Sequence, residues 1–388
     1  MEKLKLVKFL FILIFLFIVK LNKPPSKPIF SVSPRKTPHQ YSKSIGDLLN
    51  YTIKNNTVLI FEPAQYHHEC APGFTKYFLD LGYNVDVILD SFGLNTFYFF
   101  DLNEKIRLFT FYSLSQFSDY SKEFQLLFKN YSYIVIETTE GYKNKTYDDL
   151  GFYKMNNTIF VIHHSEYINS TGNISLYNQN RIWSIGNLKN ALYVNPHYFG
   201  DFKARNKNII TRFFITSTGD RNYNDLVLAA EKLKNENLDF EVIVIGKEEA
   251  FSKANLSENL QSNFEFKYHV IFKELYEAVD SSDYIIINLY PNYTSNDQYR
   301  STRITGASQL SYGFLKPALI HKDFAEFYNM NNKNSFLFDN SNFYQIMRKA
   351  ILLNEHKYKR KQKNLYELSN SLYSISLQNV IKTLNSIY

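Results

Sequence analysis

Two pairs of adjacent histidines are the groups in this chain best suited to moving a proton. His67 and His68 open the run His67-His68-Glu69-Cys70-Ala71-Pro72-Gly73, soon after a strand-like apolar stretch, and His163 and His164 follow a second such stretch, with Glu166 close by. An imidazole changes charge near neutral pH, so it can take the proton of a hydroxyl, and a carboxylate beside it can orient the ring. The candidates for that work are His67, His68, Glu69 and His163. Neighbouring side chains of an extended chain point opposite ways, so one member of each pair is expected to face a site and the other to pack. Metal ligation is the rival use, and structural histidines the plain one. No His-x-His or His-x-x-x-His spacing occurs, and the single cysteine, Cys70, cannot build a disulfide framework or a thiolate zinc site.

A second set of residues suits anions. Thr218-Gly219-Asp220-Arg221 lies between a strand-like run and an amphipathic helix. Gly219 would let the backbone approach a phosphate, and Arg221 could grip two of its oxygens; the plain alternative is a turn with a solvated arginine. Arg300-Ser301-Thr302-Arg303-Ile304-Thr305-Gly306 places hydroxyls, guanidiniums and a glycine at the start of another helix. Arg300, Thr302, Arg303 and Thr305 are thus candidates for a phosphate and ribose cradle, with one arginine expected to be structural. Lys247, just past the run FEVIVIG, is a third cation able to reach a phosphate from a sheet edge.

The elements that must position these groups alternate between short apolar runs and helix-period segments. Thr57–Phe61, the helical FTKYFLDLGY and the run NVDVILD form a β-loop-α-β unit, and Ile106–Phe111, Tyr133–Ile136 and Thr158–Ile162 extend the series. The second half repeats it: Arg212–Ser217, the helix DLVLAAEKLKN, Phe240–Ile245, Phe266–Phe272, the helix ELYEAVDSS, Tyr284–Leu289, the helix ITGASQLSYG and Lys316–Ile320. A long helical segment over Asn342–Leu384 closes the chain. The expected fold is α/β, two Rossmann-like domains with parallel sheets facing a cleft. The expected boundaries are 51–200 for the first domain, 201–345 for the second, and 346–388 for helices that cross back to the first.

Composition fits two globular domains. The 388 residues are 45% hydrophobic and 21% charged, which excludes wholesale disorder. The net charge of +7 is scattered apart from the termini and the run Lys357–Lys363, so a nucleic-acid partner is not expected, and a solvated helix face accounts for that run. Phe9–Val19 is uniformly apolar and flanked by lysines. As a helix it rises only ~16 Å. Snorkelling lysines can lengthen the span to ~18 residues, against a hydrocarbon core of ~30 Å. No small-x-small cleavage site follows, so residues 1–21 read as a signal-anchor rather than a cleaved signal peptide, and 22–50 as a Pro/Ser/Lys-rich stem. The expected location is a membrane, single-pass, on a side the flanking charges leave open. The sequons at Asn50, Asn55, Asn130, Asn144, Asn156, Asn169, Asn173, Asn255 and Asn292 point weakly to a secretory lumen in a eukaryotic cell.

The stretch TSTGDRNYNDLVLAAEKL resembles the first strand-loop-helix of the nucleotide-sugar (donor) domain in GT-B glycosyltransferases of the family 4, or group 1, kind. The segment ELYEAVDSSDYIIINLYP, continuing into YRSTRITGASQLSYGFLKPALIH, resembles their closing donor-site segment. The match runs from about Arg212 to Phe338 and is only architectural before that. It implies a hexosyltransferase-type enzyme that moves a sugar from a nucleotide-sugar to a glycan, lipid or protein acceptor. The implied donor contacts are Gly219, Arg221, Lys247, Arg300, Thr302, Arg303 and Thr305. It also implies acceptor-binding groups on the first loop, near His67, and no metal cofactor, which agrees with the lack of an Asp-x-Asp motif. The chain departs from the commonest retaining pattern, two glutamates flanking a seven-residue spacer: between Asn292 and Pro317 the only carboxylate is Asp297. A retaining outcome is therefore not carried over. An inactive scaffold of the same fold and an extracytoplasmic two-domain binding protein are the alternatives.

Overall fold

A computed structural model describes residues 37–64, 67–139, 149–164, 179–186, 188, 191–217, 223–247 and 256–387. The apolar run at 1–21 lies outside these residues; among those described, no helix is long and apolar enough to cross a membrane.

The first sheet has the order β1-β4-β3-β2-β5-β6-β7-β8, built from β1 (Ser42–Ser44), β2 (Thr57–Phe61), β3 (Asn84–Asp90), β4 (Ile106–Phe111), β5 (Tyr133–Ile136), β6 (Thr158–Ile162), β7 (Ile182–Ser184) and β8 (Leu192–Tyr193). The second has the order β11-β10-β9-β12-β13-β14, from β9 (Thr211–Ser217), β10 (Phe240–Gly246), β11 (Phe264–Tyr268), β12 (Tyr284–Ile287), β13 (Ala318–His321) and β14 (Phe336–Phe338). Every pairing is parallel. Helices on both faces bury these strands, which is why they read as continuous Val/Ile/Leu/Phe runs rather than alternating ones. In each sheet the chain steps outward one way and then returns to the other side of its first long strand. The switch points, between β2 and β5 and between β9 and β12, are where ligand crevices open in such sheets.

The helices that frame the site are α1 (Ala71–Asp80), α2 (Asn224–Asn235), α3 (Phe272–Ser281), α4 (Gly306–Phe314), α5 (Phe343–Ile351) and α6 (Glu355–Ile387). The helical segment over 342–384 divides into α5 and α6 at Leu352–Asn354, where the Asn354 side chain accepts the Lys357 N–H and caps a new start. α6 packs Leu365 and Leu372 into the core of the second domain and Val380 and Leu384 into that of the first. Buried hydrogen bonds fix its far end: Trp183 Nε1 donates to Thr383 Oγ1 at 2.8 Å, and Asn195 N–H to Ser376 Oγ at 2.9 Å.

Two expectations need correction. Residues 38–49, read as part of a stem, are folded onto the first domain: β1 pairs with β4, and Ile45 and Leu48 enter its core behind a Ser44–Asp47 capping box. Two apolar anchors and a cap outweigh the Pro/Ser/Lys composition. The strand read as Phe266–Phe272 lies at Phe264–Tyr268, and Phe272 opens α3 instead.

Candidate functional site

The loop after β2 turns from Phe61 through Glu62 to a short 3-10 turn at His68–Cys70 that leads into α1. His67 caps that turn, and its ring lies flat on His163 from the end of β6, with centroids 3.7 Å apart and planes at 9°. Glu69 Oε1 sits 3.8 Å from His67 Nδ1, with both side chains about one-quarter exposed. His163 is buried, and its Nε2 lies 2.8 Å from the Glu137 carbonyl. Burial, with His67 beside it, holds the His163 imidazole well below its ordinary pKa and therefore neutral.

The second domain meets these rings with the start of α4. Arg303 donates from Nε to His164 Nε2 at 3.1 Å and from Nη1 to Gln298 Oε1 at 3.0 Å. Burial and the adjacent guanidinium push His164 down to about 4, which keeps its Nε2 lone pair available as that acceptor. Gly306 is the first residue of α4, and a Cβ there would project into open space. A cavity of about 150 Å³ results, lined by His67, Glu69, His163 and His164 on one side and by Arg303, Gly306 and Gln309 on the other. At Gly186 the domains approach so closely that a Cβ would strike the Ile304 side chain.

The fold thus brings together His67, Glu69, His163 and Arg303. It places His68 and Arg300 elsewhere. His68 is buried outside the cavity wall, 3.2 Å from Asp90, with its ring against Phe92 and against Phe272 of the second domain. Burial lowers its pKa against the pull of Asp90. His68 therefore packs the domain contact, which corrects its candidacy as a proton acceptor. Arg300 turns away towards Asp323, at 3.9 Å, and covers the Phe324 ring. Thr302 Oγ1 donates to the Gln298 carbonyl, and Thr305 caps α4 through its own carbonyl rather than its side chain. Lys247 is exposed at the end of β10. Gly219 and Arg221 lie outside the described residues. Among the described residues no three His, Cys, Asp or Glu side chains are grouped so as to hold a metal ion.

Sequence reasoning missed Glu62 and Glu137. Both are fully buried at the switch point between β2 and β5, just beneath the stacked rings. Burial raises Glu62 to about 8 and Glu137 well above the usual carboxylate range. Each follows an apolar strand by one residue, which was the available signal.

No protein-family model matches the chain, and no curated protein matches it. Solved structures do. AviGT4, a glycosyltransferase involved in avilamycin A biosynthesis, superposes with a TM-score of 0.50 at 10% identity, over 85% of this chain and 98% of that one. The fold is GT-B. A glycosyltransferase from Rickettsia africae ESF-5 gives a TM-score of 0.49 at 13% identity, over 86% of this chain and 99% of its own. The E. coli ADP-heptose heptosyltransferase II gives 0.46 at 9%, over 81% and 99%. On this GT-B frame the cavity lies where the carboxyl edges of the two sheets face one another.

Proposed function

We propose that the chain transfers a sugar from a nucleotide-sugar donor to a hydroxyl of a glycan, lipid or protein acceptor. The observation that carries the reading is the meeting of His67 from one sheet edge with Arg303 and the open N-terminus of α4 from the other, in one cavity of a GT-B fold. A diphosphate is held by backbone N–H groups at a helix start and by guanidinium groups, and α4 and Arg303 offer both. Gly219, Arg221 and Lys247 would extend that edge, and the reading calls for no divalent metal. The acceptor hydroxyl is a poor nucleophile until a base takes its proton. His67 is that base: it is partly exposed to the cavity, backed by a neutral ring and flanked by Glu69. Attachment at a membrane through Phe9–Val19, supported by its apolar character, would keep the enzyme beside membrane-borne acceptors.

Calorimetric titration with a panel of nucleoside diphosphates and nucleotide-sugars tests the reading. Micromolar binding of one base class is the expected result. Failure of every member to bind at millimolar concentration would remove the donor site and the proposal with it.

A further inference from the structure

A groove of about 810 Å³ opens where α1 ends, the chain linking the two domains passes, and α6 crosses from the second domain to the first. It lies apart from the cavity at His67. α1 starts beside the loop that carries His67 and reaches the groove with Lys76 and Asp80, a rise of ~14 Å over the helix. α4 likewise starts at Gly306 in the cavity wall and meets the groove only past its last turn, at Gly313 and Leu315. Along one wall α6 sets Lys363, Tyr366, Asn370 and Tyr373, whose helical spacing makes one stripe ~15 Å long. Tyr198, Asp201 and Phe202 of the linker face it. These rings are held from behind. Tyr373 stacks on the buried Tyr77 with centroids 4.8 Å apart, Tyr198 meets Phe100 edge-on at 5.5 Å, and Phe202 lies 4.1 Å from Phe314. The Tyr373 hydroxyl donates to Asp80 and the Tyr198 hydroxyl to Asp201 Oδ1 at 3.0 Å, so both carboxylates are oriented. Gln362 closes the floor, its carboxamide bonded to the Arg205 N–H and the Leu315 carbonyl. Tyr366 is the ring left open, 52% exposed.

We propose that this groove is a second binding site, which holds a neutral oligosaccharide with one sugar ring stacked on Tyr366 and its hydroxyls bonded to Asp201 and Asn370. A pyranose has apolar C–H faces and a rim of hydroxyls. Aromatic rings edged by carboxylate, amide and ammonium groups complement both. The volume falls within the range of about 300–1,000 Å³ that small-molecule sites occupy. Charge argues against an ionic ligand. Lys203 and Lys363 at the rim stand with Asp80 and Asp201, so no field of one sign draws an anion. The place for a cation is taken already: the Lys76 ammonium lies 5.4 Å from the centre of the Tyr198 ring and 5.9 Å from that of Tyr373, and it is paired with Asp80. Asp201 and Asn370 are exposed on opposite walls, so each can take a hydroxyl of the same sugar chain. Because the walls come from both domains and from the linker, a bound chain spans their junction. The site goes beyond the transfer reading, and its test needs no donor.

The test is calorimetric titration of the full chain with maltotetraose, cellotetraose and chitotetraose, together with saturation-transfer NMR. At least one of them is expected to bind with a Kd in the millimolar range or below, with saturation reaching its ring C–H protons. Tyr366→Ala, at a half-exposed position, is expected to weaken that binding roughly fivefold, the scale of a lost aromatic contact. Tyr366→Phe should retain it, because the ring and not the hydroxyl is the platform. Asp201→Ala reads the opposite wall independently and should weaken binding by a smaller factor. Saturating nucleoside diphosphate should leave the sugar's affinity unchanged, since the cavity is elsewhere. Failure of all three sugars to bind at tens of millimolar would overturn the site. So would unchanged affinity in folded Tyr366→Ala and Asp201→Ala, or displacement of the sugar by nucleoside diphosphate. A chain that binds the sugar in this groove yet binds no nucleoside diphosphate overturns only the transfer reading.

Discussion

Six strands of the first sheet repeat the order of the second, and the two sheets differ in what they place at their carboxyl edges. In the first domain, Glu62, Glu137, His67 and His163 converge on the switch point, and burial moves three of the four far from their ordinary pKa values. In the second domain the described edge offers a helix start, Arg303 and an exposed Lys247, with no buried carboxyl pair. On the proposed function, one edge handles protons and the other meets negative charge. The backbone plan is the same, so the division of labour resides in the few residues past the strand ends. It can be broken one side at a time.

The largest effect belongs to the proton side. His67→Ala should lower turnover ~10²–10⁴-fold while leaving nucleoside diphosphate affinity unchanged, since the base is lost and the anion site is not. Equal losses in turnover and in donor affinity, measured by steady-state kinetics and calorimetry, would show that the two edges do not act separately. Next comes the stability of the same edge. Glu137 keeps its proton in the folded chain at pH values where the unfolded chain has released it. The folded state therefore binds more protons above a pH of ~4.5, and stability is lost as the pH rises. Glu137→Met removes that slope. Its gain in unfolding free energy should grow as the pH rises above ~4.5, by at most about 1.4 kcal/mol per pH unit, read from denaturant titrations. A gain that is flat with pH would mean that Glu137 ionises in the fold.

On the anion side, Arg303→Ala should weaken nucleoside diphosphate binding by about 1.5–3 kcal/mol, the scale of a charged hydrogen bond. It should also let His164 regain affinity for a proton, because the guanidinium that suppresses its imidazolium is gone. A smaller effect is expected from Gly313 at the other end of α4. A Cβ there would strike the His197 backbone carbonyl and the Phe199 ring, where the linker between the domains passes. Gly313→Ala should cost about 1–3 kcal/mol of stability by overpacking and leave ligand contacts alone. Thermal melts with and without nucleoside diphosphate separate the two: a Tm deficit that widens when ligand is added would place Gly313 in the site instead.

The parallel sheets were legible because their strands are fully buried: TVLIF, YIVI and TIFVI carry no charge and stand at spacings that leave room for crossover helices. Short strands such as β1, β7, β8 and β14 were not, since two or three residues are too few to carry a period. His67 and Arg303 were readable from their loops. Glu62 and Glu137 were not, because each alone reads as the polar residue that ends a strand. Only the register of β2 against β5 sets them side by side, and register is a tertiary property. The burial of His68 was hidden for the same reason: Phe272, which covers it, lies in the other domain.

The smallest effect sharpens the comparison most finely, because it separates two arginines three residues apart. Arg300 ends the 3-10 turn over Thr294–Arg300, and Arg303 lies in the stretch between that turn and α4. Arg303 enters the cavity wall; Arg300 lies over Phe324 and reaches Asp323 at a distance of 3.9 Å, with about one-third of its side chain exposed. An exposed ion pair of that kind contributes ~0–1 kcal/mol, and a partly solvated cation over a ring a similar amount. Arg300→Ala should therefore change nucleoside diphosphate affinity by less than about twofold and stability by under about 1 kcal/mol, where Arg303→Ala changes affinity at least tenfold. If calorimetry finds Arg300→Ala as damaging to binding as Arg303→Ala, the donor's phosphates lie along the β13 end of the second sheet, and the cavity at His67 would then face the sugar without touching the diphosphate.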